Sequence, residues 1–489
     1  MPQGPRVGTG QFSIKGSYKI RPTDPIMVGN ERQLLMDDHV VDDCWNCRRT
    51  VHQPVKHPQN PLVAPTEPWE ATGPAFLTVL HDQECGIYRL WATATAEREM
   101  GLVELARRAI YYESPDGIHW QAPKLGLVNW QGSMENNVLF GGDGRMYDSL
   151  GVIEMPPGKQ ERGRFAMVYH TDPVPDPVKG LIVTGGEQRI AYSDDGIHWR
   201  DQPENPIFRG QSDTHNNLAY NPERRVFMFY RRATIHANEI RRVAYSESDD
   251  LIEWTQPRTI LRPDEVDASR FYAMPVGRYH GVYLGFLQIF YAEEHIRLPK
   301  SHQIDVQLAW SRDGVNWQRH PERPIFLDTG LPGSYDWGMV RIGPGVIEQE
   351  DEIRLYYAGA ERLHFGMAGN WNACLATLRK DGFISVDSVG GRDGYMLTKP
   401  LECPGGTLHV NARTRGDGFI KVAVRRSDGE ADGDWLPEWN YDKDVAFRGD
   451  STSEVVNWQG QEDFEALRGK AIRLHFWLNE AELYSFRFQ

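Results

Sequence analysis

Short runs in which apolar and polar residues alternate with the two-residue period of a strand recur through most of the chain. Tyr88-Arg89-Leu90-Trp91, Phe165-Ala166-Met167-Val168-Tyr169, Val226-Phe227-Met228-Phe229-Tyr230, Val282-Tyr283-Leu284-Gly285-Phe286 and Ile353-Arg354-Leu355-Tyr356-Tyr357 read as strands with at least one buried face. Four of them are followed by a further strand-like run: Arg108-Ala109-Ile110-Tyr111-Tyr112, Arg189-Ile190-Ala191-Tyr192, Arg242-Val243-Ala244-Tyr245 and Val306-Gln307-Leu308-Ala309-Trp310. Helical periodicity is confined to a short stretch near Glu462–Leu467. The pattern predicts an almost purely β protein.

A turn motif repeats in step with these strands. Ser114-Pro115-Asp116-Gly117-Ile118-His119-Trp120 returns as Ser193-Asp194-Asp195-Gly196-Ile197-His198-Trp199 and as Ser311-Arg312-Asp313-Gly314-Val315-Asn316-Trp317. A degenerate copy, Ser248-Asp249-Asp250-Leu251-Ile252-Glu253-Trp254, and a fifth, Arg379-Lys380-Asp381-Gly382-Phe383, complete the series. The spacing, roughly 55 to 80 residues, is that of one propeller blade with its loops. Asp-Gly supplies the positive-φ positions of a tight turn, and the Trp that follows is placed to wedge between neighbouring blades. Innermost strands are expected near 74–80, 148–154, 216–220, 272–277 and 340–347. The prediction is an all-β chain: a five-bladed β-propeller over 61–386, then a C-terminal β-sandwich over 396–489. Residues 1–60 are expected as a leader that wraps the propeller.

Charge narrows the function. A formal net charge of -14 argues against a nucleic-acid partner, since phosphate binding needs a basic face. No apolar stretch approaches the roughly 18 residues of a membrane helix, so no membrane partner is expected. The N-terminal segment lacks the pattern of a secretory signal, and Cys44, Cys47, Cys85, Cys374 and Cys403 are an odd, scattered set suited to free thiols. A cytoplasmic location is the corresponding expectation; a homo-oligomer is left open.

In a propeller, side chains just before each innermost strand face one axial funnel. Those positions offer Trp69 and Glu70, Asp148, Asp213 with His215 and Asn216, and Asp336 with Trp337. Carboxylates gathered in a funnel are what glycosidic cleavage needs: one protonated to serve the leaving oxygen, one ionised to activate water or attack carbon. Asp213 is the candidate general acid or base, Glu70 its partner and Asp148 the orienting residue. Second-strand ends add His170, Arg231, Arg232, Gln288, Glu294 and His364 as candidate substrate-binding groups. A rival reading assembles His170, His215 and His364 around a divalent metal. A zinc knuckle at Cys44, Cys47, His52 and His57 is a weaker possibility of spacing alone.

The blade pattern, the Asn60-Pro61-Leu62 segment and the Ser-x-Asp-Gly-x-x-Trp turns resemble the five-bladed furanosidase-like glycoside hydrolases: the invertase and levanase family and the arabinanase and β-xylosidase family. A bacterial branch of that group fits the chain more closely than its well-known members. The resemblance implies three functional acids from blades one to three, corresponding to Glu70, Asp148 and Asp213. It also implies a cofactor-free, exo-acting glycosidase that cleaves or transfers a glycosidic bond of a furanoside or short oligosaccharide. The alternatives are a metal-dependent sugar lyase or epimerase, and a non-catalytic carbohydrate-binding propeller.

Overall fold

A computed structural model of the protein describes residues 24–95, 107–141, 146–171, 186–210, 212–233, 241–267, 270–292, 300–364, 370–427 and 435–489. Among them there is no α-helix, only strands and single turns of 3-10 helix; the helical stretch expected near 462–467 is one such turn, Glu465–Leu467. No helix among the described residues is long and apolar enough to cross a membrane. The five cysteines are thiols, not disulfides, as expected. Two compact units emerge: Arg49–Val386, and the residues up to Arg48 together with Asp387–Gln489.

The larger unit holds four sheets, the last of which contains two antiparallel groups of strands, so that five modules follow one another along the chain. The first joins Ala75–Asp82, Ile87–Thr95, Arg107–Ser114 and Val138–Phe140. The second begins with Asp148–Glu154, Phe165–Thr171 and Glu187–Ser193. The third holds Asn217–Asn221, Val226–Arg232, Val243–Ser248 and Arg258–Leu261. The fourth and fifth centre on Val282–Phe290 with Ile304–Ser311, and on Glu352–Ala360 with Trp371–Arg379. A single parallel pair, Ile304 with Met339, joins these last two into one eleven-stranded network. Among the described residues no sheet closes into a barrel.

The repeated turn has a mechanical role that its sequence only hinted at. In the first four copies the Asp side chain accepts the amides that follow it; Asp116 Oδ1, for example, takes those of Ile118 and His119, both at 2.8 Å. The turn is then gripped by the preceding module. Trp91 Nε1 donates to the Gly196 carbonyl at 2.7 Å, Gln202 to Leu251, Tyr230 to Gly314 and Tyr279 to the Asp381 carboxylate. Tyr356 of the fifth module returns to the Gly117 carbonyl of the first at 2.8 Å. The first strands touch in the same cyclic order: Val152 N–H meets Thr78 Oγ1, Val276 N–H meets Asn217 Oδ1, and Gly343 lies against the Leu77 carbonyl. Each latch is worth about 1 kcal/mol net, and removing one side costs more because a buried group is left unpaired.

The described part of the expected leader over 1–60, residues 24–60, is divided between the units. Val55–Lys56 adds the outer strand of the fifth module, pairing with Ala376 and Thr377, and Lys56 Nζ is held 2.6 Å from buried Asp336. Earlier strands pair elsewhere: Ile26–Met27 with Leu401–Glu402, Gln33–Leu34 with Ser485–Phe486, and Val41–Trp45 with Tyr395–Thr398. Their hydrogen bonds come from residues hundreds of positions away, so no local period announces them.

In the smaller unit the spine is a long antiparallel pair, Leu408–Arg426 with Ala471–Phe488. Its apolar face buries Val410, Ile420, Val422, Leu474, Phe476 and Phe486. The strands expected as a sandwich over 396–489 are connected in one ten-stranded network through Ala471–Phe488, which pairs with five other strands.

Candidate active site

Two strand irregularities aim side chains at the centre of the five-module unit. In the first module the register shifts between Ala75 and Thr78, with Phe76 at φ 47°. In the second it shifts between Asp148 and Gly151, with Ser149 at φ 55°. Bulges of this kind bend a strand and redirect a side chain, and a left-handed Phe or Ser persists only where its surroundings enforce it. Phe76 and Asp148 both line one cavity of about 170 Å3, with Asp213, Arg107, Arg241, Tyr272, Arg341, His364 and Trp371.

The carboxylates differ in setting. Asp148 is fully buried and ion-paired to Arg107 through Oδ2. Its Oδ1 has no hydrogen-bond partner among the described residues. Asp213 sits on the loop before the third module's first strand. Asn216 clamps that loop, accepting from Ser212 Oγ at 2.7 Å and donating to the Ser212 carbonyl at 2.9 Å. Arg232 Nη1 lies 2.6 Å from Asp213 Oδ1. Burial pushes the Asp213 carboxyl upward, but Arg232 and Arg241 outweigh it and hold the group below the usual carboxylate range.

Around them lies an excess of positive charge. The Arg341 guanidinium stacks on Tyr272 and Trp371, each at 4.3 Å from the ring centroid, and on Phe76 at 4.9 Å. Arg241 lies 5.0 Å from the Tyr272 centroid. Burial draws both below the usual guanidinium value. His364 packs on Phe290, and burial with Arg341 and Arg241 nearby pulls it down to about 3, so it is neutral at physiological pH. The set combines two carboxylates, several arginines, a neutral imidazole and flat aromatic faces. It is suited to a polyhydroxylated ligand that carries or develops negative charge.

Of the residues predicted from sequence, the structure brings Asp148, Asp213 and His364 to the cavity, with Arg232 bound to Asp213. Glu70 is not among the lining groups. Buried, it accepts from Tyr112 Oη and from the Thr66 amide at 3.2 Å, which ties it into its own module. Trp69 donates to Asn137 at 2.7 Å. Asp336 secures Lys56 and Tyr357, and the Trp337 carbonyl accepts from Gln303. These are joints of the scaffold: on a short loop a carboxylate finds hydrogen-bond donors, and an indole an acceptor, in its own module before it reaches the axis.

The remaining positions fall just outside the lining. His170 faces Asp148 across the strand pair and accepts from Gln188 Nε2 at 3.1 Å. His215 is buried edge-on to Phe76, and burial holds it down at about 3; neither ring nitrogen has a hydrogen-bond partner among the described residues. Arg231 is buried with its guanidinium 4.8 Å from the Phe208 ring, and Gln288 is fully buried. Glu294 lies outside the described residues. Among the described residues no group of three or more His, Cys, Asp or Glu side chains is placed to hold a metal ion, and His170, His215 and His364 do not form one. Tyr272, at the entrance of the fourth module, is where the sequence places a funnel residue; Arg107, Arg241 and Arg341 are functional candidates that the sequence reading passed over. Only Arg341 carried a local signal, a charge inside the apolar run Met339-Val340-Arg341-Ile342.

No family model and no curated protein matches the sequence. Several solved structures are similar to it at a low level. An N-acetylgalactosamine deacetylase from F. plautii, in complex with blood group B trisaccharide, is 16% identical over 74% of this chain and 96% of its own, with a TM-score of 0.44. A family 43 arabinoxylan arabinofuranohydrolase from Bacillus subtilis is 11% identical over 89% and 99%, with a TM-score of 0.42. A β-1,2-mannobiose phosphorylase from Listeria innocua is 12% identical over 66% and 96%, with a TM-score of 0.45. Likenesses this remote do not assign a reaction to this chain.

Proposed function

We propose that the five-module unit is a five-bladed β-propeller whose axial cavity cleaves or transfers a glycosidic bond of a furanoside or short oligosaccharide. The observation that carries this reading is the presence of Asp148 and Asp213, from adjacent modules, in one small cavity lined with arginines and aromatic rings. Asp213, kept ionised by Arg232 and Arg241, is the base that takes the proton of the attacking hydroxyl or stabilises positive charge at the anomeric carbon. Asp148 is held rigidly by Arg107 and offers its second oxygen to the sugar. Phe76, Tyr272 and Trp371 supply apolar faces for a sugar ring.

The arginine excess favours a second form of the same reaction, in which the attacking group is phosphate rather than water. An oxygen of hydrogen phosphate would bond to the anomeric carbon as the glycosidic C–O bond breaks, and the proton of that phosphate would pass to the leaving oxygen. Arg107, Arg241 and Arg341 are the groups suited to hold that oxyanion.

The test is to incubate the purified chain with arabino-, fructo-, xylo- and manno-oligosaccharides, with and without inorganic phosphate, and to separate the products. Free sugar supports hydrolysis; a sugar 1-phosphate supports phosphorolysis. Equal turnover by wild type, Asp148→Asn and Asp213→Asn would overturn the assignment.

A further inference from the structure

The smaller unit carries a row of aromatic side chains set by strand register. Trp45 lies directly opposite Tyr395, Tyr395 opposite Trp477, and Trp477 opposite Lys421. Directly opposed residues project from the same face of a sheet, so four adjacent strands present one line across their direction. At about 4.8 Å between strands the line runs roughly 14 Å.

The rings pack against one another, and His475 stacks on Trp477 at 3.9 Å. Trp45 and Tyr395 stack at 6.1 Å with 23° between planes. Trp435 leans on Trp477 at 5.5 Å, and Tyr441 meets Trp477 edge-on at 4.8 Å. Trp45 is 58% exposed and Trp435 40%, in a chain whose other indoles are more covered. Charged groups border the row: Lys421 lies 4.2 Å from the Tyr441 centroid, Arg425 4.3 Å from that of Trp435, and Asp43 accepts from Tyr395 Oη at 2.9 Å.

We infer that this row is a carbohydrate-binding platform for a neutral polysaccharide chain, separate from the axial cavity. The C–H faces of sugar rings pack on the electron-rich faces of Trp and Tyr, while hydroxyls at the ring edges reach Lys421, Arg425 and Asp43. The partly exposed rings offer on the order of a few hundred Å2, short of the about 800 Å2 per partner that a stable protein dimer needs. The charges along both borders also fit hydroxyl groups better than a continuous apolar partner. The inference goes beyond the reaction proposed for the cavity and does not depend on its chemistry.

The test is affinity electrophoresis of the full chain through gels containing soluble arabinoxylan, arabinan, levan or β-mannan. Wild type and Asp213→Asn are expected to be retarded equally by at least one of them. Trp45→Ala combined with Trp435→Ala is expected to bind at least tenfold more weakly, with an unchanged melting temperature and unchanged turnover of short oligosaccharides. Trp45→Ala alone, at an exposed strand end, gives the same reading if the double variant fails to fold. Retardation by none of the four polymers, or equal retardation of the variants, overturns the platform. So does a concentration-dependent dimer in light scattering that the variants abolish.

Discussion

Arg232 Nη1 lies 2.6 Å from Asp213 Oδ1, and this pair fixes the protonation state that the cavity presents. Buried without a cation, Asp213 would tend toward its neutral form; with Arg232 and Arg241 beside it, it stays ionised. A carboxylate whose folded pKa is depressed contributes stability that is present above its unfolded value, about 3.9, and is lost as pH falls through the lower folded value. The acidic limb of the kcat/KM profile is therefore expected below about pH 4. Asp213→Asn should lower kcat by about 10²- to 10⁴-fold and lower the melting temperature at neutral pH, where the ionised carboxylate contributes stability. A pH–rate profile of both proteins checks this; an acidic limb near pH 6 would contradict it.

Glu70 has the opposite character. Removing it as Glu70→Ala strands the Tyr112 hydroxyl and the Thr66 amide, at a cost of about 1–3 kcal/mol in unfolding free energy. Turnover should fall by less than tenfold once the variant is folded. Urea unfolding alongside kinetics separates the two effects, and a loss of kcat comparable to that of Asp213→Asn would restore Glu70 to the reaction.

The turn latches can be tested at one glycine. Gly196 has φ 76°, and a Cβ there would meet Trp91 at 2.8 Å. Gly281 has a similar φ of 72° with nothing within 4 Å. Gly281→Ala should cost only the backbone strain, roughly 1–2 kcal/mol. Gly196→Ala should cost distinctly more, because Trp91 must also shift and its bond to the Gly196 carbonyl is disturbed. Denaturant midpoints of the two variants give the comparison.

In the smaller unit Asp444 accepts the Val422 amide at 2.7 Å, and burial pushes its carboxyl up to about 7. A group raised in the folded state binds more protons there than in the unfolded chain. Its stability contribution is complete below about pH 4 and is lost as pH rises toward 7. Asp444→Asn should flatten this decline, so that the variant gains on wild type between pH 4 and 7. Thermal melts across that range report it; parallel curves would show that Asp444 does not titrate there.

The strand alternation and the five Asp-containing turns were readable because both are local: a side-chain period of two and a positive-φ turn depend on consecutive residues. They placed the innermost strands to within a few positions, as at 148–154, and singled out Asp148 and Asp213. Local signals could not tell Asp213 from Glu70, since both are loop acids ahead of a strand. The difference lies in which donors come within reach once the chain is folded: Tyr112 for Glu70, Arg232 for Asp213.

The amino-acid order by itself determined the strand succession, the repeat and the positions from which acids could reach an axis. Tertiary structure decided what required distant parts of the chain to meet. Val55–Lys56 completes the fifth module, Arg107, Arg241 and Arg341 converge on two aspartates, and Trp45 falls into line with Tyr395 and Trp477. Hydrogen-bond register and charge pairing act through space, and separation along the sequence sets no limit on them.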